Sequence, residues 1–118
     1  MINKEKVKKN FGKAAGTYDL YARVQKIMSE ELVNRILSAK IEFRDILEIG
    51  SGTGYLTELL AKNFPQANIL AVDICPQMVE AARTKLSCYP GVTCLVEDGE
   101  NLRINRSFDL IVSSAVFQ

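Results

Sequence analysis

Seven consecutive residues hold most of the chemistry in this sequence: Glu48-Ile49-Gly50-Ser51-Gly52-Thr53-Gly54. Glycines at that density admit positive φ and let backbone N–H groups come close to a ligand. The loop stands where a short apolar run ends and a helical pattern begins, and a helix amino terminus favours anionic groups. Asp73 follows Gly54 by 19 residues, at the end of a second apolar run. An acid at that place can accept both ribose hydroxyls of a nucleoside. The dinucleotide fingerprint G-x-G-x-x-G needs glycine at position 55, where Tyr55 stands. Glu48, at the mouth of the loop, repels a pyrophosphate and attracts an ammonium group.

A ligand with an amino-acid head, a ribose and an adenine meets both conditions, and S-adenosylmethionine is such a ligand. Gly50, Ser51, Gly52 and Gly54 form its cradle. Its carboxylate meets the helix amino terminus, and its ammonium lies near Glu48 and the Gly50 carbonyl. Asp98, ahead of Gly99 at the end of a third apolar run, can accept from the adenine amino group. Ile74 and Met78 offer apolar faces to the ring. Each residue also has a plainer reading. Glu48 can be a surface carboxylate, Asp73 a helix cap before Pro76, Asp98 a turn residue and Met78 core.

The residue counts remove other chemistries. With no histidine, Ser-His and Cys-His pairs and imidazole-metal sites are excluded. Cys75, Cys88 and Cys94 lack C-x-x-C spacing, so neither a metal site nor a redox motif is indicated, and they read as reduced, partly buried residues. The 118 residues suit one domain, and 47% hydrophobic with 25% charged residues is ordinary for a globular chain. No apolar run approaches the roughly 20 residues of a membrane span, and no signal-peptide pattern follows the charged start. The expected location is the cytoplasm, with neither membrane nor nucleic acid as partner. Charge is uneven: residues 1–26 carry seven basic residues against two acids, and the remainder eight against twelve. A basic arm on an acidic body attracts an anionic partner, or simply forms a solvated helix face.

The elements that must position these residues follow from periodicity. Residues 3–40 read as helical with a break between Gly12 and Gly16. Tyr21, Val24, Met28, Leu32, Ile36 and Ala39 step by three or four along the expected buried face. Ile46 to Ile49 and Ile69 to Val72 read as buried strands of a parallel sheet, and Val92 to Val96 and Phe108 to Val112 as its third and fourth strands. Leu56, Leu59, Leu60 and Phe64 mark a helix stopped by Pro65, and Pro76 opens another that turns Met78, Val79, Ala82 and Leu86 inward. The fold class is therefore α/β, a Rossmann-like doubly wound parallel sheet covered on both faces and preceded by amino-terminal helices. Residues 1–44 form a helical segment covering the ligand site, and 45–118 a ligand-binding half-domain.

LEIGSGTGYL, LAVDICPQMVEAAR, VEDGENL and FDLIVSSAVFQ together resemble the class I S-adenosylmethionine-dependent methyltransferases, in the family's order. The stretch from Phe11 to Gln25 further resembles the F-x-x-A-A-x-x-Y-[DE] segment of malonyl-acyl-carrier-protein O-methyltransferases. Ser113 to Gln118 is similar to their S-N-x-x-x-Q segment, with Ser114 in place of asparagine. Quinone-biosynthesis methyltransferases share part of this pattern but fit less well around Gln25 and Gln118.

The resemblance implies methyl transfer from S-adenosylmethionine, leaving S-adenosylhomocysteine, to the free carboxylate of a malonyl thioester at the start of biotin synthesis. It implies that Tyr18 and Tyr21, on helices lying over the cofactor, help to close the site. An acidic acyl carrier protein then docks on Lys4, Lys6, Lys8, Lys9 and Lys13. Members of the superfamily continue beyond a fourth strand, so the sheet is expected to be truncated there. The free edge of that strand is expected to pair with a second copy of the chain. A quinone-type methyltransferase and a non-catalytic S-adenosylmethionine-binding module remain alternatives.

Overall fold

The computed structural model describes residues 15–99, 101–102 and 106–113, with the side chains of 15–19 and 21 outside that description. The expected first helical stretch, the five lysines from Lys4 to Lys13, and Ser114 to Gln118 lie outside the described residues. The elements run α1 (Ala15–Ser38), β1 (Asp45–Ile49), α2 (Tyr55–Asn63), β2 (Asn68–Asp73), α3 (Pro76–Lys85), β3 (Val92–Val96) and β4 (Leu110–Ser113). No helix among the described residues is long and apolar enough to cross a membrane.

The four strands form one parallel sheet in the order β3-β2-β1-β4. Ile46 pairs with Ile69 and Leu110, and Ile49 with Val72 and Ser113, so the carboxyl ends of β1, β2 and β4 finish level. The chain steps one way from β1 to β3 and returns to β4 on the far side of β1. Between β1 and β4 lies the switch point, where open α/β sheets take their ligands.

One face of the sheet carries all three described helices. Val33 and Ile36 of α1 and Leu56, Leu60 and Ala61 of α2 pack on Ile46, Ile69 and Val112. Val79 and Ala82 of α3, with Leu86 just beyond its end, pack on Ala71 and Cys94. Two crossovers stepping in one direction with the same handedness put their helices on the same side. On the opposite face Leu47, Leu70 and Val72 are covered by Leu102 and Phe108 from the segment joining β3 to β4. Ile111 on that face is 61% exposed. Among the described residues, helices cover one face of the sheet and this segment covers the other.

The buried face of α1 differs from the expected stripe. Ser29, Val33 and Ile36 are buried, whereas Val24 and Met28 are exposed and Leu32 is half-buried. At 100° per residue the buried set lies about a third of a turn from Val24 and Met28. Periodicity gives the spacing of a stripe but does not say which of two overlapping stripes meets the sheet. The cysteines also divide: Cys94 is buried, Cys75 half-buried and Cys88 exposed. Burial pushes the Cys94 thiol up, the Arg83 guanidinium opposes that, and Glu48 adds to it.

Asp109 ties the entry of β4 to that of β1. Its Oδ2 accepts from Arg44 N at 2.9 Å and Asp45 N at 3.0 Å. Those backbone donors hold its carboxyl below the usual carboxylate range. A carboxyl so lowered stabilises the fold above its unfolded value near pH 3.9, and that contribution is lost as pH falls through the folded value. Asp109→Asn is therefore expected to lower the urea midpoint at pH 7. The gap from the unsubstituted chain should close as the buffer drops below about pH 4.

Candidate functional site

The loop after β1 is built by continuing the sheet and then leaving it. Gly50 N and Ser51 N both donate to the Val72 carbonyl, at 2.9 and 3.0 Å, so the loop starts as an extension of the β1–β2 ladder. It then turns through left-handed residues at Gly50, Gly52 and Gly54, with φ of 75°, 57° and 94°. Gly54 N closes the turn on the Ser51 carbonyl at 3.0 Å. Gly54 caps α2 with no side-chain hydrogen bond of its own. A Cβ at Gly54 would stand 2.8 Å from Leu86 Cδ1, so the absence of a side chain lets α2 pack against the end of α3. At Gly52 the requirement is different. A Cβ there meets nothing within 4 Å, so this side of the loop faces open space.

Asp73 binds that loop to the next one. Its Oδ2 accepts from Gly52 N at 2.9 Å and its Oδ1 from Cys75 N at 2.9 Å. Each oxygen of an ionised carboxylate has a second acceptor direction, so half of the capacity of Asp73 remains for a ligand. Glu97 N donates to the Asp73 carbonyl at 3.0 Å, which brings the end of β3 beside the end of β2. Asp98 and Gly99 follow, both half-buried, and a Cβ on Gly99 would run into the side chain of Ile49. Ile74 is exposed and Met78 half-buried at the start of α3. The structure thus gathers Gly50, Ser51, Gly52, Gly54, Asp73, Ile74, Met78, Asp98 and Gly99 around the carboxyl ends of β1, β2 and β3.

Glu48, next to last in β1, turns its side chain into the protein. It is fully buried, on the helix-covered face, and accepts from Thr57 Oγ1 at 2.5 Å. The alternation of β1 turns it inward with Ile46, beneath α2, so it is not a surface carboxylate. The sequence analysis did not single out Thr57. The available signal was an acid within an apolar strand, which needs a donor, and Thr57 is the only aliphatic hydroxyl in α2. The Cys75 amide was missed as well, because a backbone donor has no residue type to betray it. Tyr18 and Tyr21 lie on α1, and their side chains are outside the described residues.

Ser51 is the informative residue. Its side chain is 4% exposed, and its Oγ is buried with no hydrogen-bond partner. Leaving a buried hydroxyl unsatisfied costs about 1–3 kcal/mol, and such a group in a native fold asks for a reason. No group of three or more possible metal ligands occurs among the described residues.

Comparison with known proteins agrees with this geometry. A family model described as a methyltransferase domain matches residues 46–118, the span from β1 onward. The chain belongs to that methyltransferase family. It is 49% identical over 120 residues to a malonyl-acyl-carrier-protein O-methyltransferase of Priestia megaterium, covering all of this chain and 43% of that protein. With a protein of the same name from Ilyobacter polytropus it shares 42% identity, covering 44% of that protein. The chain thus spans under half the length of these curated relatives. Among solved structures, an S-adenosylmethionine-dependent methyltransferase from Clostridium acetobutylicum superposes with a TM-score of 0.66 at 33% identity. That match covers 87% of this chain and 43% of that one. An S-adenosylmethionine-bound amino pentose methyltransferase from Micromonospora echinaspora gives 0.64 at 25% identity, covering 82% and 41%.

Two substitutions test the local geometry. Ser51→Ala removes the unsatisfied hydroxyl, so thermal melting without ligand should show a domain as stable as the original or up to about 1–2 kcal/mol more stable. Gly54→Ala should destabilise by about 2–4 kcal/mol in chemical denaturation, combining left-handed strain with overpacking against Leu86.

Proposed function

We propose that this chain forms the cofactor-binding part of an S-adenosylmethionine-dependent methyltransferase. The acceptor is the free carboxylate of malonyl-acyl-carrier protein, in the methylation that begins biotin synthesis. The observation that carries the cofactor reading is the buried, partnerless Ser51 hydroxyl in a glycine loop beside a half-engaged Asp73. The acceptor reading is supported by the relatives of that name, which match this chain along its whole length.

The residues present suit such a ligand. Gly52 leaves open space where a side chain would stand, and Ser51 holds an unused polar atom. Asp73 retains an acceptor direction on each oxygen for the ribose hydroxyls. Asp98, Ile74 and Met78 lie where the adenine end would be received, and Gly99 lets their loop sit against Ile49. The first-turn amides of α2 offer donors and a positive dipole end to a carboxylate. Glu48 contributes from beneath, holding the first turn of α2 through Thr57. When bound, the sulfonium supplies an electrophilic methyl group. A carboxylate acceptor is already anionic at neutral pH, so the chain needs to orient it and exclude water rather than take a proton from it. A sequence with no histidine suits that task.

Tyr18 and Tyr21 on α1 are the residues proposed to close the site. The partners proposed are an acyl carrier protein, met by the basic amino-terminal residues, and a second copy along the outer side of β4. The setting proposed is the cytoplasm.

Calorimetry distinguishes the cofactor. S-adenosylhomocysteine should bind and NAD should give no heat, and Asp73→Ala should weaken the former at least about tenfold, or 1.4 kcal/mol. Binding of NAD in its place would refute the reading. Methylation of malonyl-acyl-carrier protein, assayed with this chain and with one as long as its relatives, separates an enzyme from a binding module.

A further inference from the structure

Among its described side chains, the helix α1 is buried toward its carboxyl end. Ser29, Val33 and Ile36 are buried, yet residue 20 and residues 22–28 include no buried side chain. Leu20, Val24, Ile27 and Met28 are all exposed along one side. The half of α1 that precedes Ser29 thus forms an arm of about 20 Å, at 1.5 Å per residue, in which none of the described side chains is buried. With no described side chain buried along it, the arm takes its direction from what fixes it at its base.

At that base, next to Ser29, stands Glu30, and Glu30 Oε1 accepts from the Tyr55 hydroxyl at 3.0 Å. Tyr55 is the first residue of α2 and follows Gly54 directly, so its backbone is the last link of the glycine loop. Its ring is held from another side by α3. The Lys85 ammonium lies 5.4 Å from the ring centroid and 4.0 Å from Glu58 Oε1 of α2. Burial and then the Glu30 carboxylate raise the Tyr55 phenol above its ordinary range, so it stays a donor at neutral pH.

We propose that Tyr55 is a positioning residue that couples occupancy of the glycine loop to the direction of the half of α1 that precedes Ser29. The proposal rests on the reading that this loop holds an adenosyl ligand. A ligand that engages Ser51 or Gly52 acts on a turn of three left-handed glycines whose last member is bonded directly to Tyr55. Any shift of the Gly54–Tyr55 peptide carries the phenol with it, and the phenol carries Glu30. A small rotation at Glu30 becomes a displacement of several ångströms at the far end of the arm, about 20 Å away. Because none of the described side chains of residues 20 and 22–28 is buried, little there opposes the movement. Tyr55 also gains a role beyond excluding a dinucleotide fingerprint. Its bulk stands where that fingerprint has glycine, and its side chain is turned to α1.

Hydrogen exchange followed by mass spectrometry tests this on the 118-residue chain, with S-adenosylhomocysteine as the probe and calorimetry on the same samples. In the unsubstituted protein, saturating probe should slow exchange both in residues 50–57 and in residues 16–29. In Tyr55→Phe and in Glu30→Ala the slowing over 50–57 should persist, while that over 16–29 falls at least about threefold. Glu30→Gln, whose amide oxygen still accepts from the phenol, should restore it. Equal slowing over 16–29 in Tyr55→Phe and the unsubstituted chain would overturn the coupling, as would no slowing there in the unsubstituted chain. Loss of slowing over both segments in the variants would place Tyr55 in the ligand site itself, and overturn it too. An unsubstituted chain that gives no calorimetric signal would sink the ligand reading, and the coupling with it.

Discussion

One carboxylate joins the two loops on which the site depends. Asp73 takes the amide of Gly52 on one oxygen and the amide of Cys75 on the other, across 21 residues of sequence in the first case and two in the second. The loop after β1 and the turn into α3 are thereby held at a fixed separation. Hydrogen bonds to an ionised acceptor are among the stronger ones, and here they act on backbone rather than on mobile side chains. Without that bridge, a turn of three left-handed glycines would have little to define it.

Around this bridge the other contacts take complementary parts. The Val72 carbonyl, accepting from Gly50 and Ser51, starts the loop from the sheet. The bare Cα of Gly54 lets α2 close on Leu86, and Glu48 grips Thr57 from below. The glycine loop is therefore tied to the protein on one side and open on the side of Gly52. A fully partnered loop would have nothing to offer a ligand. The buried Ser51 hydroxyl is the place where local satisfaction was given up, and that is where binding chemistry is expected in a native fold.

The sheet order explains why chemistry gathers where it does. Between β1 and β4 the direction of winding reverses, and adjacent connections part there to leave a crevice at the carboxyl ends of the strands. Strand, loop and helix spacing were all legible in sequence for this reason. Buried parallel strands read as continuous apolar runs, and Gly and Pro punctuate them. The methyltransferase family was legible from the same segments, because the residues that build the loop are those that carry the motif. The helix-bearing face was not legible, since apolar strands with both faces buried look the same whichever side a helix covers.

By itself the sequence determined the order of elements, the parallel sheet, the glycine loop and the acid at the end of β2. Those features depend on local conformational preferences and on hydrophobic periodicity, which each segment carries within its own residues. Only the tertiary structure decided that Glu48 turns beneath α2 to Thr57. It alone showed Asp73 already half-engaged by backbone, and α1 seated on Ser29, Val33 and Ile36 rather than on Val24 and Met28. It likewise joined Tyr55 to Glu30 across 25 residues. The reason is physical: side-chain direction at a strand end and the choice between overlapping helix faces are set by what packs against them. Those partners lie tens of residues away, where no local pattern can register them.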